Sequence, residues 1–494
     1  MTIKRNGAAG PARPLNPVWT LVIASAGAFI ACVDTMVVTT ALPVLRVSLY
    51  GTLADLEWTV NAYNLAFACL LLTGAALGDR FGRRRMFCTG LAAFTTASAA
   101  AALSPTAGAL IAARAVQGAA AALVLPLTLT LISDAFPPER RSRAIGVWGG
   151  VIGLGGAVGP VIGGAVAGGL GWQWIFWLNV PAGAVLIPLA ASRLRESYGP
   201  SGRLDVTGLL LAGAGFLGLT WALVQASTAG WASRQVVGPL LAGMCLIGLF
   251  VWWEQRAPRP MLSLGTFRRR GFVTANGVSF LLYASLFGAV FLMAQFFQSA
   301  QHLTSLQAGI RLLAWTSPGI VIAPAAGRLA ERHGNRPFMA AGLLLHAAGL
   351  AWIAAIASSG AGFSRLIVPL IISGIGVTLV LPTVAGEVVS AAPDQDMGIA
   401  SGTNTALREL GGVFGVAVLA SVFSRPGAYV STSTFVTGFR SALWVAVAFS
   451  FAGIFLTLPV MRPGRPAPQS DPAEVGLPDP GIARQLTRPT GDMP

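Results

Sequence analysis

Two charged residues sit where charge is most costly. Asp34, in "VDTMVVTTALP" (33–43), and Arg114, in "LIAARAVQGAAAALVLP", each lie inside a long apolar run. An arginine near the middle of a bilayer costs at least about 2.5–3.5 kcal/mol on insertion scales, so it must face water or a partner. Asp34 is the natural partner. It precedes Pro43 by nine residues, and Arg114 follows Gly108 by six. At about 1.5 Å of helix per residue the two reach similar depth in the outer half of the bilayer. Burial disfavours an ionised carboxylate and a nearby arginine favours it. A group under such opposed pulls can change protonation when water access changes. The alternative is a static buried ion pair.

A second stretch, "GLGGAVGPVIGG" (153–164), holds six glycines and a proline in twelve positions. It is either a phosphate-cradling loop or a helix in a solvent where glycine is useful. The chain has a single lysine, Lys4, so no Walker A lysine exists. Position 158 is valine, which breaks GxGxxG. In an apolar helix, four-residue glycine spacing clears one face so that a neighbouring backbone can approach. Pro160 removes one backbone hydrogen bond, the signature of a kink or hinge.

Composition names the solvent. Of 494 residues, 54% are hydrophobic and 10% charged, with mean hydropathy +0.69. Uncharged runs long enough to span a bilayer recur along the chain, each near the twenty or so residues required. The reading is an all-α polytopic membrane protein; a β-barrel would show shorter alternating segments. Net charge of +15 fits arginines that hold loops on the cytoplasmic side, and no nucleic-acid partner is inferred. Cys32, Cys69, Cys88 and Cys245 are scattered, as are His302, His333 and His346. No spacing suggests a metal site. No cofactor is inferred, and uphill work would draw on an ion gradient or a partner ATPase.

Fourteen apolar segments are candidate spans: 18–45, 56–78, 86–103, 108–134, 144–167, 174–192, 205–225, 237–253, 271–298, 304–327, 337–357, 364–390, 399–423 and 438–461. The first is too long for a signal-peptide core and reads as a retained span. With the N-terminus inside, 25 of the 33 lysines and arginines fall on the inner side and 5 on the outer. That is a strong positive-inside bias. The chain also repeats. "LVLPLTLTLISDAFP" at 123 aligns with "LVLPTVAGEVVSAAP" at 379, an offset of 256. Gly146, Gly155, Gly156 and Gly159 meet Gly402, Gly411, Gly412 and Gly415 at that offset. "GDRFGRR" at 78 aligns with "AERHGNR" at 330. Two six-helix bundles with two inserted central helices account for the count. The expected layout is a cytoplasmic tail 1–17, a bundle 18–192, a linker 193–204, two additional helices 205–256, a basic cytoplasmic loop 257–270, a second bundle 271–461 and a disordered cytoplasmic tail 462–494. Repeats of this kind place substrate at their interface near the midplane.

The turn "LGDRFGRRRMF" (77–87) and its second copy "LAERHGNRPF" (329–338) resemble the GxLaDRxGRR motif of the major facilitator superfamily. Ala75 stands for its first glycine. The resemblance implies a cytoplasmic latch built from Asp79, Arg80, Gly82, Arg83, Arg84, Asp134, Glu331, Arg332 and Arg336. Asp79 would face a helix N-terminus in the other bundle, and Arg83 would pair with Asp134. Arg114, Gln117 and Gly118 match the RxxQG pattern of span 4, which implies proton coupling through Arg114. The segment 33–43 resembles the D-T-T-I-V-N-V-A-L-P signature of the fourteen-span drug/proton antiporters, with Thr39 where that family has asparagine. Gly155, Gly159, Pro160, Gly163 and Gly164 match its span-5 antiporter motif, an implied hinge. "WQWIFWLNVPAG" (172–183) resembles the same subfamily. Gln117, Thr39, Asn179, Asn404, Arg408 and Glu409 are candidates for the substrate cavity.

These resemblances imply a major facilitator fold and a proton-coupled exporter of hydrophobic toxic compounds or antibiotics. It would be a monomer in a bacterial cytoplasmic (inner) membrane, with both termini in the cytoplasm and no cofactor beyond the proton gradient. Asp34 and Arg114 would couple protons. An importer or symporter on the same fold is the alternative. An intramembrane enzyme or receptor is a distant third, because no nucleophile or metal cluster stands out.

Overall fold

The computed structural model describes residues 17–199, 205–257, 265–319, 322, 326, 329–330, 334–391, 397–424, 429 and 431–458. Both tails, much of the basic loop 257–270, and Glu331 and Arg332 lie outside the described residues. The described part is a bundle of helices: α1 (Pro17–Ser48), α2 (Leu53–Phe81), α3 (Arg83–Ala102), α4 (Ala107–Ala135), α5 (Pro138–Gly169), the short α6 (Trp174–Trp177) and α7 (Asn179–Arg193). A hairpin follows, α8 (Val206–Ala229) and α9 (Arg234–Glu254). The second series is α10 (Arg270–Gln295), α11 (Ser305–Thr316), α12 (Asn335–Ile356), α13 (Phe363–Ala391), α14 (Met397–Phe423) and α15 (Thr432–Thr457).

Among the described residues, 12 helices are long and apolar enough to cross a membrane. Of the fourteen segments read from sequence, two fall short. The helix α3 starts on three arginines and is rich in alanine and threonine, so its hydropathy is diluted. In α11 only 12 residues form the described helix. The crossing at 174–192 is interrupted after Trp177 and resumes at Asn179.

Packing repeats between the two series. In the first, α1 packs on α5 and α7, α2 on α4, and α3 on α4 and α7. In the second, α10 packs on α14 and α15, α11 on α13, and α12 on α13 and α15. The series meet along two equivalent seams, α2 with α14 and α5 with α11. The hairpin helix α8 lies on the first seam, touching both α2 and α14, and α9 packs on α8. Trp58 of α2 meets Trp221 of α8 with ring centroids 5.7 Å apart. Asp205 caps α8 and also accepts from the Trp253 indole at 2.9 Å, which ties the two hairpin helices together. The same turn recurs as well: Gly82 (φ 106) and Gly334 (φ 87) occupy matching positions and are left-handed, where a side chain would be strained.

Candidate functional site

Asp34 and Arg114 are joined, and the site around them draws on six helices. Asp34 is 2% exposed and Arg114 1%. The guanidinium donates through Nη1 to Asp34 and, at 3.0 Å, to Gln117 Oε1. Its Nε donates to the Thr59 carbonyl at 3.2 Å. Its Cζ lies 4.3 Å from the centre of the Tyr63 ring, a cation–π contact. Asp34 receives two further donors, the Asn179 amide at 2.8 Å and the Gln117 amide at 3.4 Å. Ser98 Oγ closes the network, accepting from Gln117 at 2.7 Å and Asn179 at 3.3 Å. Helix α1 supplies the acid, α4 the base and Gln117, α3 the serine, α7 the asparagine, and α2 and α6 the aromatic walls. A charge pair this dry holds only when its remaining donors and acceptors are met, as they are here.

The glycine stretch is a helix, not a loop, and α5 runs through Pro160 without a break. Three of its glycines turn to α1. A Cβ at Gly155 would lie 3.1 Å from Phe29, one at Gly159 2.5 Å from Met36 Cβ, and one at Gly163 would strike Thr40 and the Val37 backbone. Gly164 turns to α11, where a Cβ would collide with the Ser305 carbonyl, and Gly309 of α11 meets the Pro160 carbonyl in the same way. This stretch is therefore part of the α5–α11 seam as well as the α1–α5 contact.

Closure is one-sided. At the Gly169 end of α5, a single apolar cluster joins Leu42, Leu45, Leu56 and Phe176 of the first series to Phe296, Leu312, Phe423 and Phe435 of the second. Gln298 donates across the seam to the Thr40 carbonyl at 2.8 Å. Arg46 lies 3.5 Å from the Tyr429 ring centre. At the opposite end the clusters stay within one series: Ile23, Phe87 and Leu131 in the first, Phe272, Met339 and Val384 in the second. There, Gly146, Gly149, Gly150 and Gly153 of α5 have no described atom within reach of an added Cβ.

The latch residues sit at that open end. Arg83 pairs with Asp134 at 2.5 Å and with Asp79 at 2.8 Å. Burial works against the Arg83 charge, but its hydrogen bonds to Asp134 and Asp79 prevail and raise its pKa. The expected contact of Asp79 with a helix start in the other series is absent among the described residues. The linker takes its place: Gly199 N–H donates to the Asp79 carbonyl at 3.1 Å and Ser197 accepts from Arg83 N–H at 2.9 Å. Glu196 accepts from the Arg84 N–H at 3.0 Å and pairs with the Arg84 and Arg85 side chains at 3.6 Å. Latch and linker thus form one unit. Arg80 is exposed and stacks on Phe81. In the second copy Arg336 reaches Glu387 at 3.3 Å, the counterpart of Arg83 with Asp134.

The six cavity candidates divide. Gln117 and Asn179 belong to the Asp34 network. Thr39 is 4% exposed and donates to its own helix at the Thr35 carbonyl. Asn404 is held by Asn276 and Ser279 of α10 at 3.1 and 2.8 Å. Arg408 and Glu409 pair with each other at 3.2 Å, and Arg408 lies over the Tyr283 ring. Sequence reasoning missed Ser98, Glu196 and the network of the second series. In that network His346 lies between Ser373 at 2.7 Å and Ser285 at 3.1 Å, and Ser450 joins Ser285. Ser373 stands at the 256 offset from Gln117, so the repeat itself carried that signal.

The chain matches the Major Facilitator Superfamily over residues 24–416 and, overlapping, 275–489. It belongs to that superfamily. Among curated superfamily proteins, it is 33% identical to the tetracenomycin C resistance and export protein of Streptomyces glaucescens, over 82% of this chain and 75% of that protein. It is 33% identical to the methylenomycin A resistance protein of Streptomyces coelicolor, over 89% and 91%. Multidrug resistance protein Stp of Mycobacterium tuberculosis is 32% identical over 82% and 75%. The fold resembles a POT family transporter (TM-score 0.66, 13% identity, 93% of this chain and 99% of that one) and the human organic anion transporter MFSD10 (TM-score 0.60, 19% identity, 89% and 99%). This major facilitator is a transporter rather than an enzyme.

Proposed function

We propose that this chain is a proton-coupled efflux pump for hydrophobic antibiotics and related toxic compounds. Export follows from the relatives, which are named for antibiotic resistance and export. Proton coupling is our reading of the site. The observation that carries it is the Asp34–Arg114 pair, sealed from solvent and linked by hydrogen bonds from α1 and α4 to α2, α3 and α7. In the cycle we infer, Asp34 takes a proton from the outer side while substrate leaves. It releases that proton inward when substrate binds, as Arg114 and the substrate displace the proton.

The architecture we infer has fourteen crossings, two bundles of six (18–192 and 271–461) and the hairpin 205–256 between them. Both termini lie in the cytoplasm of a bacterial inner membrane, and the monomer is the transport unit. The Arg83 end is then cytoplasmic, and the conformer is open inward. The packing that repeats between the two series and the positive-inside bias support this arrangement.

A pump-deficient host expressing the chain tests it, with tetracenomycin C and methylenomycin A at the head of a toxic-compound panel. Raised resistance that vanishes with Asp34→Asn at equal expression supports the reading. Export that persists after ΔpH is collapsed would sink the coupling.

A further inference from the structure

Unpartnered buried polar atoms gather most densely on one face of α2. Glu57, Asn61 and Asn64 stand at i, i+4 and i+7 of α2, one above another. Their exposures are 0%, 0% and 1%. Both Glu57 carboxyl oxygens, both Asn61 amide atoms and Asn64 Nδ2 have no hydrogen-bond partner among the described residues. They make up five of the eleven such side-chain atoms among the described residues, and the other six are scattered singly over six residues. Below it the face continues through Leu65 and Ala68, which pack on Leu410 and Val413 of α14. The stripe therefore runs along the α2–α14 seam, at the end where the bundle is shut.

Charge around it is committed elsewhere. On α1, Arg46 lies over the Tyr429 ring, and Asp34 is taken by Arg114. Tyr429 is the titratable group within electrostatic reach of Glu57, and its hydroxyl donates to Gln295 of α10. On α4, Arg114 meets α2 only through the Thr59 carbonyl and the Tyr63 ring. On α14, Arg408 and Glu409 pair with each other. Helix α8 carries no titratable residue. Two residues before Glu57, Asp55 is used in the α2 capping box with Thr52.

An ionised carboxylate in such a place carries a heavy desolvation penalty, and no described residue hydrogen-bonds or pairs with it to offset that. The neutral acid loses only its hydrogen bonds to water. The bundle can shut over Glu57 only when Glu57 holds a proton. We propose that Glu57 is a second proton-binding site, filled from the outer compartment as this end closes and emptied to the same compartment as it opens. The step is a simple transfer: on opening, the carboxylic acid passes its proton to entering water and becomes a carboxylate, with Asn61 and Asn64 offering hydrogen bonds to the new shell. On closing, the reverse occurs. Glu57 thus gates closure without carrying charge across. The proposal rests on the alternating-access reading above.

The sign follows. The closed state binds one more proton than the open state. The closed-to-open ratio falls about tenfold per pH unit above the midpoint, for one proton.

Spin labels on Val47→Cys and Leu306→Cys report this end; both positions are exposed, one on each series. The full chain, with Cys32, Cys69, Cys88 and Cys245 replaced, is reconstituted in lipid, and label distances are read across pH with no substrate or gradient. We expect a closed population that drops about tenfold per unit with rising pH, is fixed closed in Glu57→Gln, and titrates again in Glu57→Asp. Infrared spectra should show a protonated-carboxyl carbonyl band that Glu57→Gln loses and Asp34→Asn keeps. A pH-insensitive wild type, or a Glu57→Gln protein that titrates like wild type, would overturn the proposal. If proton-coupled export itself is wrong, resistance will instead survive collapse of ΔpH, whatever the labels show.

Discussion

The Asn179 amide donates to the Asp34 carboxylate at 2.8 Å, although 145 positions separate them in sequence. That bond draws the start of α7 onto the middle of α1, so the acid is held from two sides, by arginine and by amide. The carboxylate is locked in this conformer, and moving α7 relative to α1 is a route to freeing it.

Removing one charge of the pair leaves the other stranded. Arg114→Ala should destabilise the folded protein by about 3–5 kcal/mol, and adding Asp34→Asn to it should recover part of that loss. Unfolding in mild detergent, followed by tryptophan fluorescence, gives the comparison. Equal stability of the single and double variants would mean the pair is not coupled.

The α5–α11 seam has no room for side chains at two points. Gly164→Val and Gly309→Val would each push a side chain into the opposing backbone. Both should prop the Gly169 end open and abolish transport, with thiol labelling of Val47→Cys unchanged or faster. Gly149→Val, where nothing lies close, should be benign. Equal effects at all three positions would refute the seam assignment.

Glu196 caps the start of α3 with its carboxylate. Glu196→Ala removes an acceptor at a helix N-terminus, where negative charge is favoured, at a cost of about 1 kcal/mol. Hydrogen exchange of the Arg84 amide should accelerate markedly, while exchange in α4 stays put. If the Arg84 amide is equally protected in the variant, the linker is not its partner.

His346→Leu takes away the partner of the Ser373 hydroxyl deep in the second series, while Ser285 keeps the Ala446 carbonyl and Ser450. The expected loss is about 1–3 kcal/mol for the one hydroxyl stranded. His346→Asn, which can still bond Ser373, should lose less. Calorimetric melting of the purified variants ranks them, and an order with Asn at or below Leu would contradict the network.

Sequence carried the site in its polar exceptions. Asp34, Arg114 and Gln117 stood out because each is polar within an apolar run, and three glycines at four-residue spacing marked the face that meets α1. Ser98 and Asn179 were harder to place. Ser98 is one of many small polar residues in α3, and Asn179 was marked only as a cavity residue, since nothing local aims it at α1. Glu196 was legible as a charge near a turn, but its fold back onto Arg84 depends on chain path rather than pattern. Thr39 stood out because its position was polar; that its hydroxyl bonds the backbone of its own helix is something spacing alone does not disclose. Helix α3 was read as an apolar run at 86–103, although its alanines and threonines make that run weak.

The hairpin of α8 and α9 makes the molecule lopsided. One seam is roofed by tryptophan-bearing helices, while among the described residues the seam between α5 and α11 has no such cover. Lipid around the molecule therefore meets an added layer of helix on one flank that the described residues do not repeat on the other.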